Sequence, residues 1–317
     1  MRRVPQTCAR ESRDRIFSLL GQAKTNYEPL RKNMPILAIL LLLCSAALHA
    51  LWNLLLKQSQ EKYIAMGWQV ILSGILSLAA ICFTGLPPRS MWIFALLSMA
   101  LEAIYFGILT YAYNDHDFSL IYPVARGAAP ALVVAWTALF LREFPSPGGL
   151  FGILLVICGL VIIGITSLFQ DHTGKPQLRG IAIALSIALI ISIYTLVDGY
   201  AVKHGPALQY GLSMFIMVPL LTTPLIVRHY GWKKMVESLR RQPGRLALVG
   251  LLGVVAYLFA LLAYSIAPVN YSEAIREVSV VMGAFAGWYF LGEKMGKVRI
   301  LGALVIFAGI VMIAVLG

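Results

Sequence analysis

Charge is what this sequence lacks most. Of its 317 residues, 13% are Asp, Glu, Lys or Arg, about half the share of a soluble domain. That excludes an ordinary water-soluble globule. Cysteine is also sparse. Cys8, Cys44, Cys82 and Cys158 form no CxxC pair, which excludes a disulfide or cysteine-metal framework. Three of the four lie in apolar stretches and read as small core residues. The 5 histidines are scattered, with no H-x3-H pair. Asp115-His116-Asp117 comes nearest to a metal site, but adjacent loop residues rarely converge on one ion. A membrane enzyme needs several ligands at helical spacing. No catalytic residue, metal or other cofactor is therefore read, and an integral-membrane enzyme is a remote alternative. Acidic residues number 14 against 26 basic ones, for a net charge of +12. The basic residues are spread over an N-terminal stretch and loops with no nucleic-acid module, so nucleic acid is excluded as a partner. In a membrane protein such residues sit at helix ends and set topology.

What remains is apolar. Hydrophobic residues make up 59%, and mean hydropathy is +0.80. Ten apolar segments are expected as transmembrane helices, at 35–56, 63–84, 91–113, 119–141, 149–169, 179–202, 207–227, 245–267, 271–291 and 298–316. Each is roughly the length that spans hydrocarbon. The joints between them, the basic stretch 228–245 included, are expected as loops, which leaves no room for a soluble domain or receptor module. The first segment follows a basic stretch, as in a signal peptide, but it is long for one and lacks a small-x-small cleavage site. It is read as a spanning helix. Residues 1–33 are polar, basic and without a periodic face. They are either a tail or precede a true start at Met34, and the second reading is preferred.

An internal repeat organises the chain. A shift of 150 residues lays FLREF (140–144) on FLGEK (290–294) and gives eight identities over the 24 positions 140–163. The same shift lays Arg126 on Arg276. Residues 34–170 and 179–317 are thus two copies of a five-helix unit, joined by the linker 171–178. Five is odd, so the second copy enters the membrane from the opposite side. Inverted repeats supply two states of similar energy, one open to each side. The expected fold is all-α and integral to the membrane: ten transmembrane helices as two inverted five-helix repeats.

Each repeat has a fourth helix closed by L-x-E and a fifth carrying G-x6-G. Leu141, Glu143, Gly152 and Gly159 form the first set; Leu291, Glu293, Gly302 and Gly309 form the second. In these motifs the chain resembles the EamA family of the drug/metabolite transporter superfamily, over about residues 34–317. The resemblance implies a ten-helix bundle with a central cavity. It also implies a structural role for the eight motif residues and small-molecule or drug substrates. The two glutamates are expected as hinges or loop anchors.

An ionisable side chain at membrane depth is a functional hypothesis by default. Arg126 and Arg276 are repeat-equivalent, and guanidinium groups bind carboxylates or phosphates bidentately, so both are expected at an anionic substrate group. Glu273 shares a helical face with Arg276 and is expected to pair with it. Glu102, mid-helix, is expected either to pair with Arg126 or to carry a coupling proton, and it leads the candidates for that coupling role. Asp198, near a helix end, is as readily read as reaching solvent, and with Glu273 completes the proton-coupling candidates. His49, Trp52 and Asn53 occupy neighbouring helical faces, with Asn53 expected to bond another helix. Tyr105, Tyr122 and Tyr257 are expected among the aromatics of the cavity.

The expected protein is a secondary transporter of the inner membrane. Its partners are the lipid bilayer, protons as coupling ion, and a small organic anion or zwitterion such as an amino-acid-like metabolite. Export is favoured by the resemblance. A flippase for a lipid-linked anionic sugar is the alternative. Orientation is contested. With cytoplasmic termini, as the resemblance implies, inner loops hold Arg89, Arg142 and Lys203 alone against thirteen basic residues outside, and residues 1–33 add eight more to the inner side.

Overall fold

In a computed structural model the described residues fold into helices. The structure describes residues 34–59, 61–115, 118–168, 178–291 and 297–317, and no strand occurs among them. The first repeat region holds α1 (Ile36–Lys57), α2 (Lys62–Thr84), α3 (Trp92–Asp115), α4 (Phe118–Trp136) and α5 (Pro147–Leu168). The second holds α6 (Leu178–Lys203), α7 (Ala207–Tyr230), α8 (Trp232–Arg241), α9 (Pro243–Ile266), α10 (Val269–Arg276), α11 (Val278–Leu291) and α12 (Lys297–Leu316).

Helix ends fall at Pro and Gly for stereochemical reasons. Pro lacks an amide hydrogen, and the first helical turn needs none. Pro147 and Pro243 accordingly open α5 and α9. Gly85 (φ +79°) and Gly231 (φ +81°) close α2 and α7 in the positive-φ region that suits glycine. The end of α4 is less regular. Thr137–Leu141 form a wider π-type turn, and Arg142 then adopts a left-handed conformation with φ +57°. That turn directs Glu143 back into the protein.

Two expectations are corrected. Residues 228–245 are not a loop. They end α7, form the amphipathic helix α8 and begin α9. In α8, Met235 alone is buried while Lys233, Lys234 and Arg240 stay exposed, and the Trp68 indole donates to the Met235 carbonyl oxygen at 2.8 Å. A basic helix with one apolar stripe suits a membrane surface. Second, the segment 271–291 is not one helix. It breaks after Arg276 into α10 and α11, with Glu277 at the joint.

Packing is reciprocal between the halves. Helix α1 lies on α9 as α6 lies on α3, α2 on α9 as α7 on α3, and α4 on α6 as α10 and α11 on α1. The equivalent pairs α5/α12 and α2/α7 pack on each other. A Cβ on Gly152 would stand 2.8 Å from the Gly309 carbonyl oxygen, and one on Gly309 2.6 Å from that of Gly152. For Gly159 and Gly302 the corresponding distances are 2.7 and 2.8 Å. Only glycine admits backbones this close, and the pairing order makes α5 and α12 antiparallel. Gly74 likewise admits α7 where Pro219 has released the Phe215 carbonyl; a Cβ there would lie 3.1 Å from that oxygen.

The outer surface is apolar. Ile36, Phe83, Phe151, Leu220, Leu304 and Phe307 are among many large exposed hydrophobic side chains, far more than a water-facing monomer carries. Among the described residues, five helices are long and apolar enough to cross a membrane: Ile36–Leu56, Tyr63–Thr84, Arg179–Lys203, Ala207–Tyr230 and Pro243–Ile266. Ala125–Leu141, Pro147–Ile163 and Ile300–Leu316 are shorter apolar helices.

Candidate functional site

A cavity of about 190 Å³ lies between the halves. Its wall takes His49, Trp52 and Asn53 from α1, Glu102 and Tyr105 from α3, and Arg126 from α4. The second half supplies Tyr194 from α6, Phe215 from α7, Gly253 and Tyr257 from α9, and Arg276 from the end of α10. Arg276 stands there because the helix stops beside it. Broken helices of this kind bring polar groups to the midplane sites of carriers.

Both arginines are buried, 8% and 6% exposed, and both meet carboxylates. Arg126 Nε donates to Glu277 Oε2 at 3.0 Å and Nη2 to Ser279 Oγ at 3.5 Å. This ion pair joins the first repeat to the second. Arg276 acts through Nη1, which donates to Glu273 Oε2 at 2.9 Å and to the Tyr264 hydroxyl at 2.6 Å. Its guanidinium carbon also lies 5.4 Å from the centre of the Tyr257 ring, within cation–π range. The expected Glu273–Arg276 pair is present. The expected Glu102–Arg126 pair is not among the described contacts; Arg126 Nε meets Glu277 at the helix break instead.

Asp198 does not reach solvent. It is fully buried and accepts hydrogen bonds from the hydroxyls of Tyr210, at 2.6 Å, and Tyr257. Tyr257 thereby connects Asp198 to the cavity wall. Asn53 also departs from expectation. Its Nδ2 donates to the His49 carbonyl oxygen on its own helix at 2.8 Å, four residues back. Trp52 Nε1 donates to His49 Nδ1 at 3.3 Å. In neutral His49 the ring proton then sits on Nε2.

Tyr122, whose side chain is not described, and the Asp115-His116-Asp117 loop lie largely outside the described residues, as does Glu293. Ser45, Met66, Gln69, Tyr194 and Phe215 are among the wall residues that escaped the sequence reading. Gln69 carried the clearest signal, being an uncharged amide inside an apolar run. It fills the space left by Gly253, where a Cβ would meet its Nε2 at 2.5 Å.

Glu143 of the L-x-E motif lies away from the cavity. Its carboxylate accepts from Lys203 Nζ at the end of α6 and, at 2.7 Å, from the Val269 amide at the start of α10. Asn270 Nδ2 donates to the Glu143 carbonyl oxygen at 3.1 Å. One carboxylate thus ties the end of the first repeat's fourth helix to two helix ends of the second. Glycines 152, 159, 302 and 309 form the helix crossing described above.

Among the described residues no group of three or more His, Cys, Asp or Glu side chains is placed to hold a metal ion. A polar, charge-lined cavity between two reciprocally packed halves, inside an apolar helical shell, defines a polytopic membrane carrier. The sequence matches the EamA-like transporter family twice, over residues 36–165 and 178–315, and the chain belongs to that family. It is a multi-pass membrane transporter of the drug/metabolite type. Of the solved structures, 28 chains match. One, titled only as the crystal structure of a protein, superposes with a TM-score of 0.70 at 15% identity, covering 88% of this chain and 97% of that one. It supports the fold alone. No curated protein matches the sequence.

Proposed function

We propose that the protein is a secondary transporter of a small organic anion or zwitterion, such as an amino-acid-like metabolite. It works by alternating access between two inverted repeats, 34–170 and 179–317, that together cross the membrane ten times. We place it in the inner membrane, with export as the favoured direction. The observation that carries this reading is the cavity itself, walled by charged and aromatic residues of both repeats. Antiparallel packing of α5 on α12 supports the inverted relation. A cavity of about 190 Å³ suits a free metabolite better than a lipid-linked sugar.

Protons are the coupling ion in this reading. Of the three acidic candidates, Glu273 is committed to Arg276, and neutralising it would leave a buried cation unpaired. Asp198 faces two neutral hydroxyls and no paired cation, so protonating it leaves no buried guanidinium without its counter-ion. Asp198 is therefore assigned the coupling role.

The test is reconstitution of the purified protein in liposomes with a panel of labelled amino acids and related amines. Counterflow of at least one compound is expected, and Gly253→Trp, which plugs the cavity, should abolish it. Counterflow that survives the plug would overturn this location. With Asp198→Asn, accumulation driven by a pH gradient should vanish while counterflow persists. Intact pH-driven accumulation would remove the coupling role.

A further inference from the structure

The charges around the cavity do not balance. Arg126 and Arg276 are the two cations lining it, whereas Glu102, Asp198, Glu273 and Glu277 line or back it with four carboxyl groups. Each guanidinium is already matched, Arg126 by Glu277 and Arg276 by Glu273. The second oxygens of those glutamates, Glu273 Oε1 and Glu277 Oε1, are buried without a hydrogen-bond donor among the described residues. With all four carboxyl groups ionised the site is short of positive charge, and it is short of donors for the two glutamate oxygens. A purely anionic compound would add to both deficits.

Asp198 is satisfied by Tyr210 and Tyr257. Glu102 is different. It stands in the cavity wall with no hydrogen bond or ion pair to another described residue. Lining the same cavity are His49, Trp52 and Asn53 of α1, Gln69 of α2, Tyr194 of α6 and Tyr257 of α9, none with a fixed positive charge. Arg126 and Arg276 line it too, but they are paired with Glu277 and Glu273, and Arg276 acts on Glu102 only through space. On the transport reading above, we propose that the transported compound bears an ammonium group and that Glu102 is the carboxylate that holds it.

An ammonium brings three donors and one positive charge, which are the two quantities the site lacks. Its hydrogen bond to a carboxylate is charge-assisted at both ends. The faces of Trp52, Tyr105 and Tyr257 attract a cation through their ring quadrupoles. A zwitterion also has a place for its other end, since Arg276 spends only Nη1 on Glu273 and Tyr264. The favoured class is thus small primary amines and α-amino acids. Dicarboxylates and phosphorylated compounds are disfavoured.

The experiment varies charge at fixed side chain. Leucine and phenylalanine are each supplied as the free amino acid, the methyl ester and the N-acetyl acid. Binding to full-length protein in detergent is read by thermal shift and by titration calorimetry. The free amino acid and ester of at least one set should raise the midpoint, because a ligand stabilises the state it binds. The N-acetyl acids should not. Glu102→Gln should weaken ammonium binding about tenfold or more, as expected for loss of a charged hydrogen-bond partner, while Glu102→Asp keeps part of it. Gel filtration and the unliganded midpoint check that both variants fold. N-acetyl acids that bind as well as the ammonium forms overturn the assignment but keep the cavity as the site. Ammonium binding unchanged in Glu102→Gln overturns the role of Glu102. If no probe binds wild type and Gly253→Trp leaves counterflow intact, the location of the site fails as well.

Discussion

Arg126 shows at single-residue scale why a buried charge is informative. A guanidinium at membrane depth costs about 3 kcal/mol on insertion scales, so its partner can be expected and sought. That partner, Glu277, lies 151 residues away and is itself fully buried. Arg126→Ala should lower the unfolding free energy by about 3–5 kcal/mol, because Glu277 is left as an unpaired charge. The double variant Arg126→Met, Glu277→Leu should recover most of that loss. Denaturant unfolding in mixed micelles measures both. A double variant as unstable as the single one would show that the pair is not the source of the effect. The sequence points to His49, Glu102, Arg126, Tyr257 and Arg276 because ionisable or amphipathic groups inside apolar runs are costly and stand out. It does not single out Gln69, Tyr194 or Phe215, because an amide or an aromatic ring in an apolar segment has many uses. The acid that takes Arg126 is also hidden, although the Glu273–Arg276 pair is readable from their spacing. Glu277 adjoins Arg276 in sequence, yet the helix break turns it toward Arg126.

At the scale of elements, the helix ends are readable and the helix irregularities are not. Apolar run length marks where a span starts and stops, since flanking Pro, Gly and charge end it. The division of 271–291 into α10 and α11 has no such marker. The L-x-E motif of the first repeat holds a second irregularity, the left-handed residue before Glu143. The first repeat places Arg142 there at φ +57°, whereas the second repeat carries Gly292 at that position. A non-glycine residue in this conformation costs about 1–2 kcal/mol. Arg142→Gly should therefore leave stability unchanged or raise it by up to about 1 kcal/mol, after glycine's extra unfolded-state entropy is counted. A fall of similar size would show that the Arg142 side chain contributes more than its backbone strain. The glycine crossing has the opposite sensitivity. Gly152→Leu forces side-chain atoms into the Gly309 carbonyl and should cost about 1–3 kcal/mol or more, seen as a lower thermal midpoint. Gly244, where an added Cβ would meet nothing within 4 Å, is the control for the same assay.

For the whole molecule, two copies with reciprocal packing are readable because the repeat survives as identities at one fixed offset. The cavity between them is not, since its walls come from helices of both halves whose arrangement no periodicity or spacing specifies. Met34 is buried and belongs to the main core cluster. A chain beginning at Met34 should therefore insert and show the same thermal midpoint and counterflow as the 317-residue chain. Loss of insertion would mean that residues 1–33 are needed to place the first helix. The crossing of α5 and α12 carries a practical consequence for such work. Four glycines hold two backbones in van der Waals contact at two levels, so spin labels or fluorophores flanking that crossing should report one constant separation under every ligand and gradient. A pair placed there is a ruler built into the protein, against which any change between labels on α1 and α9 can be calibrated within the same sample.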